Sequence, residues 1–318
     1  MDKPYILNLM GPTASGKTHL AMLLFNNLPV DIISVDSAQV YRGLDIGSAK
    51  PSKDILAQYP HQLIDICDPT DSYSVEKFRQ DAWKAITKSH QSGRIPLLVG
   101  GSMLYFKALK EGLSDLPISD KDFFYTITQQ AQTLGWDYFH KKLEKIDPIS
   151  AARIHVNDSQ RLIRALEVYE KTGKSLSQLH AQKNKLVDKS HNWLECIILP
   201  EDRSVLHQRI ARRFRQMIDD GLVQEVDVLF NRGDLDSSYP AIRSVGYQQV
   251  WSYLQGKINH EEMIERGIIA TRQMAKRQLT WLRHWPDLSS HYLINMKSLE
   301  TKQGQMQIIG HIIGKIKV

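Results

Sequence analysis

Apolar positions in the first hundred residues fall into short solid runs separated by longer, mixed segments. Ile6-Leu7-Asn8-Leu9-Met10, Asp31-Ile32-Ile33-Ser34-Val35 and Pro96-Leu97-Leu98-Val99 are such runs, each closed by Gly or by Asp-Ser. Runs this short with little polar alternation predict strands buried on both faces. Between them, His19 to Leu28 predicts a mostly apolar helix stopped at Pro29. Ser74 to His90 predicts a second helix, with Ser74 as N-cap and Glu76 just inside. Strands alternating with helices imply a parallel sheet covered on both faces.

The pattern changes after Gly112. Residues from about 120 to 195 are polar and helix-rich, punctuated by Pro117 and Pro148, with no strongly buried strand. Cys196-Ile197-Ile198-Leu199-Pro200 then returns to the strand pattern. Helices are expected over Arg203–Asp220, Leu222–Asn231, Tyr247–Leu254 and about Glu261–Trp285, and the tail from Ile308 shows only scattered apolar residues. The expected architecture is an α/β core formed by residues 1–115 and 196–318, with residues 116–195 inserted as a helical domain. No internal repeat or low-complexity segment is present.

The chain has 318 residues, 42% hydrophobic and 24% charged, so it can bury a full core without staples and is neither disordered nor fibrous. Two distant cysteines, Cys67 and Cys196, exclude a disulfide framework or a Cys-rich zinc site and point to a reducing compartment. The short N-terminal apolar stretch is too brief for a signal peptide, and no run reaches transmembrane length. A cytoplasmic protein that does not engage membranes is therefore expected. The net charge of +6 is uneven. Residues 1–150 carry 16 basic against 17 acidic side chains, leaving 25 against 18 to the remainder. A basic second half fits an anionic partner such as nucleic acid, or simply a solvated basic surface.

Gly11-Pro12-Thr13-Ala14-Ser15-Gly16-Lys17-Thr18 matches G-x-x-x-x-G-K-[ST] at every fixed position, between a strand and a helix. Backbone N–H groups of such a loop converge on phosphate, the helix N-terminus adds partial positive charge, Lys17 a full one, and Thr18 can hold magnesium. The motif specifies a di- or triphosphate, not hydrolysis. The strand that should end in a metal-binding Asp in a P-loop NTPase ends here in Gly100-Gly101-Ser102, and only Asp36 closes a neighbouring strand with a carboxylate. A GTPase base-reading motif is also missing, because Asn184-Lys185-Leu186-Val187-Asp188 places Asp one residue late.

Further stretches follow in order: ISVDSAQVY (33–41), DIGSAKP (45–51), LID (63–65), LLVGGSMLY (97–105), RLIRALE (161–167), IRSVGY (242–247) and RQMAKRQLTW (272–281). Together with the phosphate loop they closely resemble the bacterial tRNA dimethylallyltransferase family, from about residue 5 to about residue 285. The resemblance implies a P-loop NTPase-like fold. It also implies transfer of a dimethylallyl group from dimethylallyl diphosphate to N6 of adenosine 37 in tRNA, with Mg²⁺ as cofactor. The phosphate loop would hold the donor diphosphate, the helical insertion would clasp the anticodon stem–loop, and the target base would flip into a channel.

The same resemblance suggests roles for single residues. Lys17, the loop Gly11–Thr18 and Arg213 would bind the diphosphate. Arg209, Arg213 and Met217 share one helix face by spacing. Asp36 would be the general base, against the plain readings of a helix N-cap or a magnesium ligand. Ser102 would hydrogen-bond the adenine, where the family more often has Thr; the plain alternative is a turn serine. RNA contacts would come from Asp36, Ser37, Ala38 and Gln39, from Ser102, from Gln160, Arg161, Leu162, Ile163 and Arg164, and from Arg243, Ser244, Val245, Gly246, Tyr247 and Gln248. Arg161 and Arg164 would face one backbone, and Tyr247 would offer a stacking surface. Two positions depart from the family. Gln248 stands where a basic residue is frequent, and Phe124 where Arg is frequent, so stacking at Phe124 replaces a phosphate contact or the contact is lost. Trp281 and Trp285 are expected to pack in the core, whereas Arg272, Lys276, Arg277 and Arg283 suit either RNA or a solvated face. Nothing in the chain calls for a dimer. Two other readings share the phosphate loop and Asp36: a P-loop kinase, and an adenylate prenyltransferase acting on a free nucleotide.

Overall fold

A computed structural model describes residues 3–113, 116–117, 120–181 and 188–316 of the chain. Residues 184–187 of the segment searched for a base-reading motif lie outside them. Among the described residues six strands form one sheet: β1 (Tyr5–Met10), β2 (Val30–Val35), β3 (His61–Gln62), β4 (Ile95–Gly100), β5 (Asn192–Leu199) and β6 (Tyr292–Asn295). Their spatial order is β3-β2-β4-β1-β5-β6, and every pairing is parallel.

Alternate residues of the apolar runs feed two cores, which is why the runs lack a polar face. Ile6, Met10, Ile33, Val35, Leu98 and Ile197 pack with Phe78, Ala82 and Ile86 of the helix Val75–Gln91. That helix begins where expected, with Ser74 Oγ accepting the Lys77 N–H at 3.1 Å. Leu7, Leu9, Ile32, Leu97, Val99 and Ile198 face the opposite way, onto Leu20 and Leu24 of the helix Lys17–Asn27 and Ile308 and Ile312 of the helix Lys302–Lys315. The scattered apolar residues of the tail are thus the inner stripe of a sheet-covering helix.

The described chain comprises two compact units. One spans Met1–Lys110 and Asp188–Val318, the other Glu111–Val187. Among its described residues the second has helices as its only regular elements and closes on its own core of Ile127, Phe139, Leu143, Leu162, Ile163 and Leu166. The chain re-enters the sheet earlier than the apolar run at Cys196 implied, because β5 already pairs at Asn192 with Tyr5. The polar start of that strand disguised it. Glu195, 1% exposed, is compensated by the Lys110 ammonium at 3.1 Å, by His291 Nε2 at 2.8 Å and by the Trp285 indole N–H at 3.2 Å. Trp285 is buried as expected. Trp281 is not: it is 40% exposed, with the Lys107 ammonium 5.9 Å from its ring centre.

Candidate active site

The carboxyl ends of β1, β2 and β4 open onto one cavity of about 680 Å³, the position at which open parallel sheets bind ligands. Thr13 to Thr18 line it after β1, Asp36 to Gln39 after β2, and Gly101 and Ser102 after β4. Arg213, Phe214 and Met217 enter from the helix Arg203–Asp219, and Thr271, Met274 and Gln278 from the helix His260–Arg283. Arg243, Ser244 and Val245 also line it, as do Gly47, Ser48 and Ala49. All these residues belong to the sheet-containing unit.

Lys17 opens the helix after the phosphate loop, and its ammonium donates to the Pro12 carbonyl at 2.6 Å. Burial pulls its pKa down to about 7; the nearby Asp36 carboxylate opposes that shift and the Arg213 guanidinium reinforces it. Arg213 shows the same balance, with burial lowering its pKa and Asp36 raising it. Three basic side chains, Lys17, Arg213 and Arg243, and one carboxylate, Asp36, therefore share the cavity. The cationic excess suits an anionic ligand.

Asp36 is placed by its own loop. Its Oδ1 accepts the N–H groups of Ala38 at 2.8 Å and Gln39 at 3.3 Å. Residues 37–40 form a turn and not a helix, so Asp36 caps its own loop and is not the helix N-cap expected as a plain alternative; the arrangement occupies one carboxylate oxygen. The Gln39 side chain is spent on scaffolding: Oε1 accepts from Ser34 at 3.1 Å and Nε2 donates to the carbonyls of Ser48 and Ala49, each at 3.3 Å.

Thr18 is exposed in the first helical turn and on the cavity wall. No group of three or more His, Cys, Asp or Glu side chains suited to a metal ion exists among the described residues. A hydroxyl beside a single carboxylate fits magnesium only where substrate phosphate completes the coordination, which is that ion's usual habit.

Several expected contacts are redirected. Arg209 leaves the face it shares with Arg213 and pairs with Glu300. Tyr247 is not a stacking surface: it is fully buried, and its hydroxyl donates to Glu225. Gly246 is also buried, whereas Gln248 is exposed. In the helical unit, Leu162 and Ile163 are core residues, so their side chains cannot reach a ligand. Arg164 does not share an outward face with Arg161. Its guanidinium binds Glu167 at 2.7 Å and the Pro117 carbonyl at 2.6 Å. Arg161, Gln160 and Phe124 are exposed.

Gln278 was legible only as one letter of a longer block. It joins two loops about which sequence spacing says nothing. Oε1 accepts the Thr13 N–H at 2.9 Å, and Nε2 donates to the Gly101 carbonyl at 3.0 Å. A Cβ on residue 101 would stand 2.3 Å from Nε2, so the second glycine of Gly100-Gly101-Ser102 clears a path for that amide.

The family model described as IPP transferase matches residues 39–285. The chain is similar to the full-length tRNA isopentenylpyrophosphate transferase of Bacillus halodurans, with 36% identity, a TM-score of 0.71, and coverage of 99% of this chain and 97% of that one. It is likewise similar to the tRNA delta(2)-isopentenylpyrophosphate transferase of Staphylococcus epidermidis, with 30% identity, a TM-score of 0.69 and 98% of each chain covered. A eukaryotic dimethylallyltransferase acting on tRNA aligns at 25% identity with a TM-score of 0.78, covering 99% of this chain and 81% of that one.

Proposed function

The chain belongs to the IPP transferase family, and from that premise we propose that it transfers the dimethylallyl group of dimethylallyl diphosphate to N6 of adenosine 37 in tRNA. The allylic C–O bond breaks, a C–N bond forms, N6 loses a proton and diphosphate leaves. The observation that carries this reading is the convergence of Lys17, Arg213, Asp36 and Ser102 on one cavity at the end of a phosphate loop.

Negative charge accumulates on the leaving diphosphate as the C–O bond lengthens. Lys17, Arg213 and the loop N–H groups from Ala14 to Thr18 oppose that charge, more strongly in a partly dry cavity than in water. Thr18 would hold a magnesium ion against the diphosphate, adding further neutralisation of the leaving group. Asp36 accepts the N6 proton through the oxygen that its loop leaves uncommitted. A base so placed accelerates a proton-coupled step by about 10²–10⁴-fold. The Ser102 hydroxyl, on the turn after β4, hydrogen-bonds the adenine.

The RNA would be held by exposed or half-buried groups: Ser37, Ala38, Arg243, Ser244, Val245 and Gln248 of the sheet unit, and Gln160, Arg161 and Phe124 of the helical unit. Phosphate contacts position the backbone, while stacking on a ring such as Phe124 suits an unpaired anticodon base. Both cysteines are buried and free, which fits a reducing cytoplasm, and no described helix is long and apolar enough to cross a membrane. A monomeric enzyme is part of this reading. The kinase and free-nucleotide readings lose their support to the family match.

The test is an ATP-free incubation of labelled dimethylallyl diphosphate and magnesium with two transcripts, one with adenosine and one with guanosine at position 37. Label recovered as N6-dimethylallyl adenosine from the first alone is the expected result. ATP turnover with no labelled RNA would replace this reading with the kinase.

A further inference from the structure

Glu225 lies outside the cavity, on the helix Leu222–Phe230, yet its carboxylate is saturated by a turn of the cavity wall. Oε2 accepts the N–H groups of Ile46 at 2.7 Å and Asp45 at 3.1 Å, and Oε1 accepts that of Gly47 at 3.1 Å. Oε1 also takes the Tyr247 hydroxyl. Three consecutive backbone N–H groups on one carboxylate form a charge-assisted clamp, and such bonds are about twice as strong as neutral ones. The Tyr247 ring closes the clamp from below. A Cβ on residue 47 would stand 2.6 Å from Tyr247 Cε2 and 2.8 Å from Leu222 Cδ1, so the turn can seat there only with glycine.

The other side of this turn faces the cavity, where Gly47, Ser48 and Ala49 line the wall. It is tied inward as well. The carbonyls of Ser48 and Ala49 receive the Gln39 amide, and the Gln39 N–H in turn binds Asp36 Oδ1. A continuous path of hydrogen bonds therefore runs from Glu225 through residues 45–49 and Gln39 to Asp36. Lys50, its side chain 2% exposed, fixes the far end of the turn by binding Asp45 at 2.6 Å and the Tyr41 carbonyl at 3.0 Å.

We propose that Glu225 is a positioning residue for the transfer reaction, holding the Asp45–Ala49 turn so that the Asp36 carboxylate points at the acceptor nitrogen. It touches no substrate. The inference rests on Asp36 acting as the base. Displacing a reacting group by about 1 Å costs ~10²-fold in rate, so loosening this clamp acts on kcat. The phosphate loop has a separate anchor in Gln278, so donor binding stays intact.

The test compares Glu225→Gln, Asp36→Asn and the double variant in transfer from dimethylallyl diphosphate to tRNA. Glu225→Gln keeps the volume but turns an amide –NH₂ toward the backbone N–H groups. We expect kcat to fall by about 10- to 100-fold and KM for dimethylallyl diphosphate to stay within about twofold, for a displaced but intact base. The double variant should be no slower than Asp36→Asn alone, because Glu225 acts only through Asp36. Tyr247→Phe keeps the ring against Gly47 and removes one clamp bond. It should lower kcat in the same sense, and it carries the test if Glu225→Gln does not fold. Unchanged kcat in these variants, or losses that multiply in the double variant, would overturn the positioning role. An inactive wild type would instead overturn the proposed reaction, and a fully active Asp36→Asn the role of Asp36 as its base.

Discussion

Gln278 and Thr13 lie 265 residues apart in sequence, and a 2.9 Å hydrogen bond joins the side-chain oxygen of one to the backbone N–H of the other. The same amide binds the Gly101 carbonyl, so one side chain fastens the phosphate loop to the turn carrying Ser102. The Thr13 N–H is consequently spent on shaping the loop.

Breaking this brace should loosen donor binding. Gln278→Leu leaves the half-buried Thr13 N–H and Gly101 carbonyl without partners, at a cost of about 1–3 kcal/mol. Gln278→Glu keeps the acceptor but loses the donor and adds negative charge beside the diphosphate. Calorimetric titration with diphosphate should show weaker binding for both variants, with Glu the weaker. Wild-type affinity in Gln278→Glu would show that the brace does not shape the loop.

Lys17 gives donor binding a pH dependence. Its ammonium titrates at about 7 in the free protein, mainly because it is buried. A bound diphosphate favours the charged form, so binding above pH 7 draws in a proton and affinity should decline as pH rises. Calorimetry at pH 8 in buffers of different ionisation enthalpy should detect that uptake, and Lys17→Arg, which stays charged, should reduce it. The sign for folding is the reverse. A lysine with a lowered folded pKa binds fewer protons than the unfolded chain between about pH 7 and 10, so its contribution to stability rises with pH there.

Glu195 and His291 form a buried pair whose stability has two pH limits. Burial pushes the Glu195 pKa up, but the hydrogen bond from His291 and the Lys110 charge outweigh it and leave it lowered. Burial pushes the His291 pKa down, and its bond to Glu195 more than restores it, leaving it raised. Stabilisation by His291 is full below its unfolded pKa, about 6.5, and is lost as pH rises through the higher folded value. Stabilisation by Glu195 is lost as pH falls through its lowered value. Removing one member of a buried pair costs about 3–5 kcal/mol. Thermal melts of His291→Ala should therefore show a deficit near pH 6 that narrows toward pH 9; a deficit independent of pH would contradict the pairing.

Arg161 and Arg164 sit three residues apart and should behave oppositely. Arg161, its side chain 73% exposed, makes only a surface ion pair with Asp158 at 3.4 Å, which a phosphate can displace, so Arg161→Gln should weaken tRNA binding and flatten the log–log salt slope by about 0.7–0.9. Arg164 is committed to Glu167 and Pro117, so Arg164→Gln should lower the melting temperature. Filter binding across salt concentrations and thermal melting separate the two. Identical behaviour would contradict the assignment.

The contrast between these arginines shows what spacing conveys. Strands and helices of the sheet unit were legible because burial on both faces leaves solid apolar runs, and the phosphate loop because its chemistry is local. Spacing placed Arg161 and Arg164 on one helix, but not the Glu167 that claims one of them. Tyr247 read as a ring available for stacking because a sequence does not reveal a carboxylate 22 residues away. β3 has two residues and β6 only four, too few to show a period. Gln278 and Glu225 are not legible in the sequence because most of their partners are backbone groups, which leave no trace in residue identity.

The central claim is that Asp36 takes the N6 proton while Lys17 and Arg213 hold the diphosphate. Its most direct test is the single-turnover transfer rate of Asp36→Asn with saturating dimethylallyl diphosphate and tRNA. The account predicts a rate lower by about 10²–10⁴-fold with both substrates still bound. A rate within a few-fold of wild type would show that Asp36 only caps its loop.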